Sequence, residues 1–251
     1  MSALFALTLR QILGGARVWL LALFLCLPVI LLAIVLSARG FRIPEREVAL
    51  GVYYFVLYPQ ALCILAALLY GSSLLAAEIE GKTLVYLFTR PVSRARVLLQ
   101  KYLATVAVLV AITTASLTLC FALGGFPGGL RMYATLVASI VAALCAYTAI
   151  FALLGLLVPR RAIPAGLIYT ALVEIVLGFV PALANELSVS HYLRSFALHL
   201  SGRALPVEVQ EVFSPVPLGT CILALAVFPT LFLSISACLV RRREWPLTEG
   251  V

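Results

Sequence analysis

Hydrophobic positions in this chain form long unbroken runs, with neither the alternation of a half-buried strand nor the narrow stripe of a surface helix. Six runs reach the roughly 20 residues that a helix needs to cross a hydrocarbon core about 30 Å thick. Val18–Ala38 and Val52–Ala77 carry no charge, Tyr102–Leu130 and Met132–Val158 follow, and Ala162–Asn185 carries one acid, Glu174. The last uncharged run ends at Val240, and its spanning part is expected to begin near Pro217. The expected spans are therefore about 18–38, 54–77, 102–124, 132–158, 162–185 and 217–240, with the third leaving lipid around Gly124-Gly125. Continuous runs argue against a membrane β-barrel, whose strands alternate apolar and polar positions. The first run follows Arg10 and Arg17 as a signal peptide would. It is longer than a typical signal core and has no clear small-x-small cleavage site, so it is read as a span.

Composition agrees with that pattern. Hydrophobic residues make up 64% of the 251 and charged residues only 11%, where a soluble domain carries about a quarter charged. The expected fold class is all-α, a single transmembrane domain over 1–251 with no room for a sizeable soluble domain. The formal charge of +8 comes from 16 Arg and 2 Lys against 10 Glu and no Asp. These basic residues flank apolar runs, which fits membrane topology and argues against a nucleic-acid partner. Segments on the N-terminal side of the membrane (1–17, 78–101, 159–161, 241–251) hold twelve Arg and Lys, and those on the other side (39–51, 131, 186–216) hold six. Both termini are therefore expected in the cytoplasm, in a cell inner (plasma) membrane protein. Residues 2–13 are too short to span and suit an N-terminal helix lying in the inner interface. In the extracytoplasmic segment 186–216, Tyr192, Leu193, Phe196, Ala197 and Leu200 recur at helical spacing. A short helix on the outer leaflet is expected there, with Arg194 and Ser195 on its polar side. All six cysteines lie inside apolar stretches without a Cys-x-x-Cys pair, so neither a disulfide framework nor a metal site is indicated.

One charged island interrupts the apolar chain, from Glu78 to Lys101. Thr83–Thr89 can form a short helix with Leu84, Leu87 and Phe88 on one face. Arg90-Pro91 ends it, because the proline ring disfavours helix at the preceding residue. Ser93 then caps a second helix, Arg94–Lys101, running into the third span. A helix, a rigid corner and another helix between two spans make a stiff protrusion suited to receive force from a docked partner. An ordinary positive-inside loop with a proline turn would explain the basic residues, but not Glu78, Glu80 and the apolar positions after them. Gly81-Lys82-Thr83 imitates the tail of a phosphate-binding loop. The glycine required five positions before Gly81 is Ala76, the upstream element is a membrane helix rather than a strand, and no Asp exists to hold magnesium. ATP is not expected to bind this chain by that route.

Glu78-Ile-Glu80-Gly-Lys-Thr83-Leu84, Arg90-Pro91-Val-Ser93-Arg94 and Leu98-Leu99-Gln-Lys101-Tyr-Leu together resemble the permease subunits of type-2 ATP-binding cassette (ABC) transporters. The likeness is closest to the branch that includes the nitrous-oxide-reductase maturation permease. Ser190-His191-Tyr192-Leu193-Arg194 is similar to the outer segment of that branch, and the plan of an amphipathic N-terminal helix and six spans matches as well. Gln100 departs from the pattern, which often has Gly before the Lys. The resemblance implies a type-2 ABC exporter fold in which Glu78, Glu80, Thr83, Leu84, Leu87, Arg90, Pro91, Ser93 and Arg94 dock on a separate ATPase subunit that binds the ATP. It also implies a second permease chain, identical or different, and export of a substrate that the motif does not name. An ATP-driven scaffold that passes motion to an extracytoplasmic partner would use the same docking surface.

Inside the apolar runs, Glu174 is the conspicuous polar residue. A central acid costs on the order of 3 kcal/mol to insert, so it should face the bundle or water. It serves either as a contact along a transport pathway or as a packing acid, with hydroxyls such as that of Tyr147 as partners. On the pathway reading, Glu174→Gln would keep expression and ATPase coupling, whereas loss of assembly would count for packing. Pro28 and Pro59 suit either kinks around a conduit or plain packing. Trp19, Tyr53, Tyr54, Tyr102 and Tyr133 lie near span ends and fit an interfacial belt. A membrane-embedded enzyme is disfavoured: there is no His-Glu-x-x-His and no Asp, and both histidines, His191 and His199, fall in the outer segment. No catalytic residue is assigned.

Overall fold

In the computed structural model, residues 17–37, 50–74, 76, 94–124, 128–177, 188–201 and 216–242 are described. They form seven helices: α1 Arg17–Ser37, α2 Leu50–Gly71, α3 Arg94–Gly124, α4 Gly129–Leu157, α5 Ala162–Leu177, α6 Val189–Ser201 and α7 Leu218–Arg242. Among the described residues the fold is all-α. Four helices are long and apolar enough to cross a membrane: Leu50–Gly71, Ala95–Gly124, Gly129–Leu157 and Leu218–Arg242. They coincide with four of the six expected spans. The other two are covered by α1, whose apolar stretch with described side chains is Leu25–Ile34, and by α5, beyond which 178–187 lie outside the described residues. The expected interfacial helix at 2–13 and the short helix at Thr83–Thr89 also fall outside them. Arg94–Lys101 is the opening of α3 and continuous with it.

α4 is the centre of the bundle. Its spanning window is 72% buried, against 11% for α7. A helix apolar on every side can be buried all round by protein, and α4 is, with α2, α3, α6 and α7 packed on it. α7 shows Leu223, Val227, Leu231 and Ile235 outward, as suits a helix bathed in lipid. The α3–α4 corner is made by Gly128 and Gly129, whose φ of 73° and 66° are positions that side chains rarely tolerate. At the other end of α4, Pro159 opens the single turn Pro159–Arg161 into α5. There α2 and α4 meet almost backbone to backbone: a Cβ added at Gly155 would run into the carbonyl of Ser72.

Two stretches wind more widely than an α-helix, with hydrogen bonds reaching back five residues. One is Val56–Leu62 in α2, around Pro59, where the Cys63 N–H donates to the Tyr58 carbonyl. The other is Thr170–Leu177 in α5. A wide turn relieves the clash of a proline ring with the preceding turn and turns a side chain to a new direction. Carbonyls around Pro28 of α1 are met by side chains of other helices. Tyr53 Oη donates to the Pro28 carbonyl at 2.7 Å, and Ser116 Oγ to the Leu25 carbonyl at 2.9 Å. Tyr58 lies fully buried with its hydroxyl 3.0 Å from Ser116 Oγ and 3.1 Å from Cys120 Sγ.

The aromatic belt needs correction. Tyr54 is fully buried, stacked on Phe121 at 4.7 Å, and donates to the Cys120 carbonyl at 3.1 Å. Tyr102 is buried as well and donates to the Cys145 carbonyl at 2.8 Å. A hydroxyl that finds a helix carbonyl no longer needs the interface, so these rings join the core. All six cysteines are free thiols.

Candidate functional site

The densest polar cluster among the described residues gathers on Glu174. The wide turn of α5 helps build it. In a regular α-helix two positions five apart diverge by about 140°, whereas in the wider winding they come round to nearly one face. Tyr169 and Glu174 are five apart, and the Tyr169 hydroxyl lies 3.5 Å from Glu174 Oε1. From α4, Tyr147 Oη donates to Oε2 at 3.0 Å. Phe151 sits between the two tyrosines, stacked with Tyr147 and edge-on to Tyr169, so both hydroxyls are held toward the same carboxyl group.

The remaining partners come from the start of α6. Ser188 Oγ donates to Oε2 at 2.8 Å, the Ser190 N–H to Oε2 at 3.1 Å, and the Val189 N–H to Oε1 at 3.2 Å. Ser188 and Ser190 hydroxyls also meet at 2.7 Å. Five donors thus converge on a side chain only 4% exposed. The first N–H groups of a helix have no partner within it and carry a partial positive charge. α6 has no acid in its own first turn, and Glu174 supplies one from another helix.

The far end of α6 is held in the opposite sense. Arg131, at the start of α4, donates from Nε to the Leu200 carbonyl at 2.9 Å. Between the two ends, α6 is stitched to Val216, two residues before α7: the Val216 N–H donates to Ser195 Oγ at 3.3 Å, and His199 Nε2 donates to the Val216 carbonyl at 2.8 Å. Tyr192 meets Phe228 of α7 with ring centroids 6.0 Å apart.

These contacts fix where α6 lies. Its N-terminus reaches Tyr147 through Glu174, and its C-terminus meets Arg131, sixteen positions earlier on α4. α6 therefore runs antiparallel beside α4 and α7. A helix lying flat on the outer leaflet would have both ends at one level, so that expectation is corrected. Its expected polar side is not an open face either: Ser195 is buried, as are Val189, Ser190, His191, Leu193 and Ala197. The helix has apolar positions for the bundle core, and its polar positions find bonded partners there too.

Of the residues singled out in the sequence, Glu174 is placed, with Tyr147 as one partner. Glu78, Glu80, Thr83, Leu84, Leu87, Arg90, Pro91 and Ser93 lie outside the described residues, and Arg94 is placed as the first residue of α3. Sequence reasoning missed Tyr169, Ser188, Ser190 and Arg131. Ser-Val-Ser before a helical run is a capping signal that was there to be read. Tyr169 was hidden by a spacing of five, which means proximity only once the winding is known. No known protein family, curated protein or solved structure matches this chain.

Proposed function

We propose that this chain is the membrane-spanning permease subunit of an ABC transporter, coupling ATP hydrolysis by a separate ATPase subunit to export of a substrate. The observation that carries the reading is the island from Glu78 to Lys101: two acids, an apolar triplet, the Arg90-Pro91 corner and a basic helix start between two long apolar helices. Four long apolar helices support a multi-pass membrane protein. Six spans, both termini in the cytoplasm, a partner permease chain and the type-2 exporter fold belong to the proposal. In it, Glu78, Glu80, Thr83, Leu84, Leu87, Arg90, Pro91, Ser93 and Arg94 meet the ATPase, and closure of the ATPase on ATP tilts the helices to expose a path alternately to each side. The ATP belongs to the partner, and this chain contributes no catalytic residue.

A second reading is a scaffold that passes ATP-driven motion to an extracytoplasmic partner. It is favoured by α6, which ties three helices together at the end of the bundle that carries the 186–216 segment. The test of both is co-purification with a candidate ABC ATPase subunit. Glu80→Lys and Arg90→Glu are each expected to abolish capture of the ATPase without lowering membrane insertion. Undiminished capture by both variants would remove the island as the docking site.

A further inference from the structure

α6 is a short helix held by charges from neighbours rather than by its own sequence. Among the described residues Glu174 is the only acid, and three of its five donors are the first two amides of this helix and its capping serine. Arg131 does the converse at the last turn, so each end of the helix dipole meets a group of opposite charge supplied by another element. Packing adds to this along the first half of the helix, where Val189 and Leu193 join the core with Ile140, Leu144 and Tyr147. The charged ends add direction: they fit only one placement of α6 along α4. The wide turn at Thr170–Leu177 brings the carboxyl group round to that placement, and such turns cost helix regularity.

We propose that α6 is a strap latched at both ends against α4, with Glu174 as the latch at its inner end and Arg131 as the latch at its outer end. Swinging or sliding α6 requires the Val189 and Ser190 amides to leave the carboxylate, and a slide by one helical turn would offer the carboxylate N–H groups already bonded within the helix. The strap therefore has one closed register along α4. Its two latches differ in kind. Glu174 is buried and holds five donors, whereas Arg131 is exposed and holds one carbonyl. Opening should begin at the Arg131 end and stop at Glu174. This inference does not rest on the permease reading and holds for any function of the chain.

The test is amide hydrogen exchange on the purified full chain in lipid nanodiscs, followed on fragments covering 188–201. In the wild type the amides of 189–192 should exchange more slowly than those of 197–201. Arg131→Gln should raise exchange at 197–201 by about tenfold, the loss of roughly one hydrogen bond to a charged group, and leave 189–192 as they were. Glu174→Gln keeps the volume but turns an amide N–H2 toward donors, and should raise exchange at 189–192 by at least about tenfold. Ser188→Ala, which leaves the carboxylate in place, should produce a smaller rise in the same fragment. Unchanged exchange at 189–192 in Glu174→Gln would overturn the proposal. So would equal acceleration across all of α4 and α6 in every variant, which would mean general loosening. If Glu174→Gln is not recovered folded, Arg131→Gln and Ser188→Ala decide alone: each must act on its own end of α6, and an effect on the wrong end or on neither sinks the strap.

Discussion

Two polar hubs sit in this apolar bundle, and they solve the same problem with different chemistry. One centres on Tyr58, where the wide turn around Pro59 in α2 faces the Pro28 kink of α1. The other centres on Glu174, in the wide turn of α5. At Tyr58 every member is neutral: a phenol, the Ser116 hydroxyl, the Cys120 thiol and the Leu25 carbonyl. Ser116 donates to the Leu25 carbonyl, and the Tyr58 hydroxyl lies between Ser116 Oγ and Cys120 Sγ. At Glu174 the acceptor is a carboxyl group and all five partners are donors. The first hub repairs helices that prolines have opened. The second joins α4, α5 and the start of α6 on one acceptor.

The sharpest way to break the contrast is Glu174→Ala. It leaves two helix N–H groups, three hydroxyls and a cavity without an acceptor in a water-poor site. Removal of one partner from a buried charged cluster costs on the order of 3 kcal/mol. Reversible denaturation titration in mixed micelles should show that loss, together with faster proteolysis near residues 188–201. A loss below about 1 kcal/mol would mean that water replaces the carboxyl group and that the hub is not what holds α6. Such a result would return Glu174 to the pathway reading.

Tyr58→Phe is the matching test on the neutral side. Ser116 keeps its bond to the Leu25 carbonyl, and the ring keeps its packing, so about 1 kcal/mol should be lost. The same titration measures it. A loss as large as that at Glu174 would erase the distinction between the hubs and place a structural hinge at Pro59.

How much of this was readable in the sequence follows from the same contrast. Long apolar runs need no partner to be recognised, and the helices at Leu50–Gly71, Ala95–Gly124, Gly129–Leu157 and Leu218–Arg242 stand where the runs predicted spans. Glu174 stood out because an acid there is costly, and Tyr147 was within the small set of hydroxyls able to meet it. The placement of α6 was not readable. An amphipathic stretch of 13 residues suits a membrane surface equally well until one knows that Val216, Arg131 and Glu174 wait for its polar atoms. Tyr54 and Tyr102 were misplaced for a related reason. Position near a span end suggests the interface, but a carbonyl within reach of the hydroxyl decides burial. Wide helical turns left no mark in the periodicity at all, and each moved side chains that carry a hub.

The smallest expected effect separates polar groups that the bundle uses from one that it does not. Gln100 lies in the second turn of α3, where the resembling permeases often have Gly, and its Oε1 is buried without a hydrogen-bond partner. An unsatisfied buried acceptor is a cost that a similarly sized apolar side chain removes. Leu also forms helix at least as well as Gln. Gln100→Leu should therefore leave stability unchanged or raise it by up to about 1 kcal/mol, measured by the same titration. Gln100→Gly should lower it by about 1 kcal/mol through the helix interior. If Gln100→Leu keeps its stability but loses ATPase capture, the amide serves the docking proposed for the adjoining Glu78–Arg94 segment. A purely structural helix start would show no such loss of capture. The two hubs would then be joined by a third polar group, one held open for docking rather than closed by the fold.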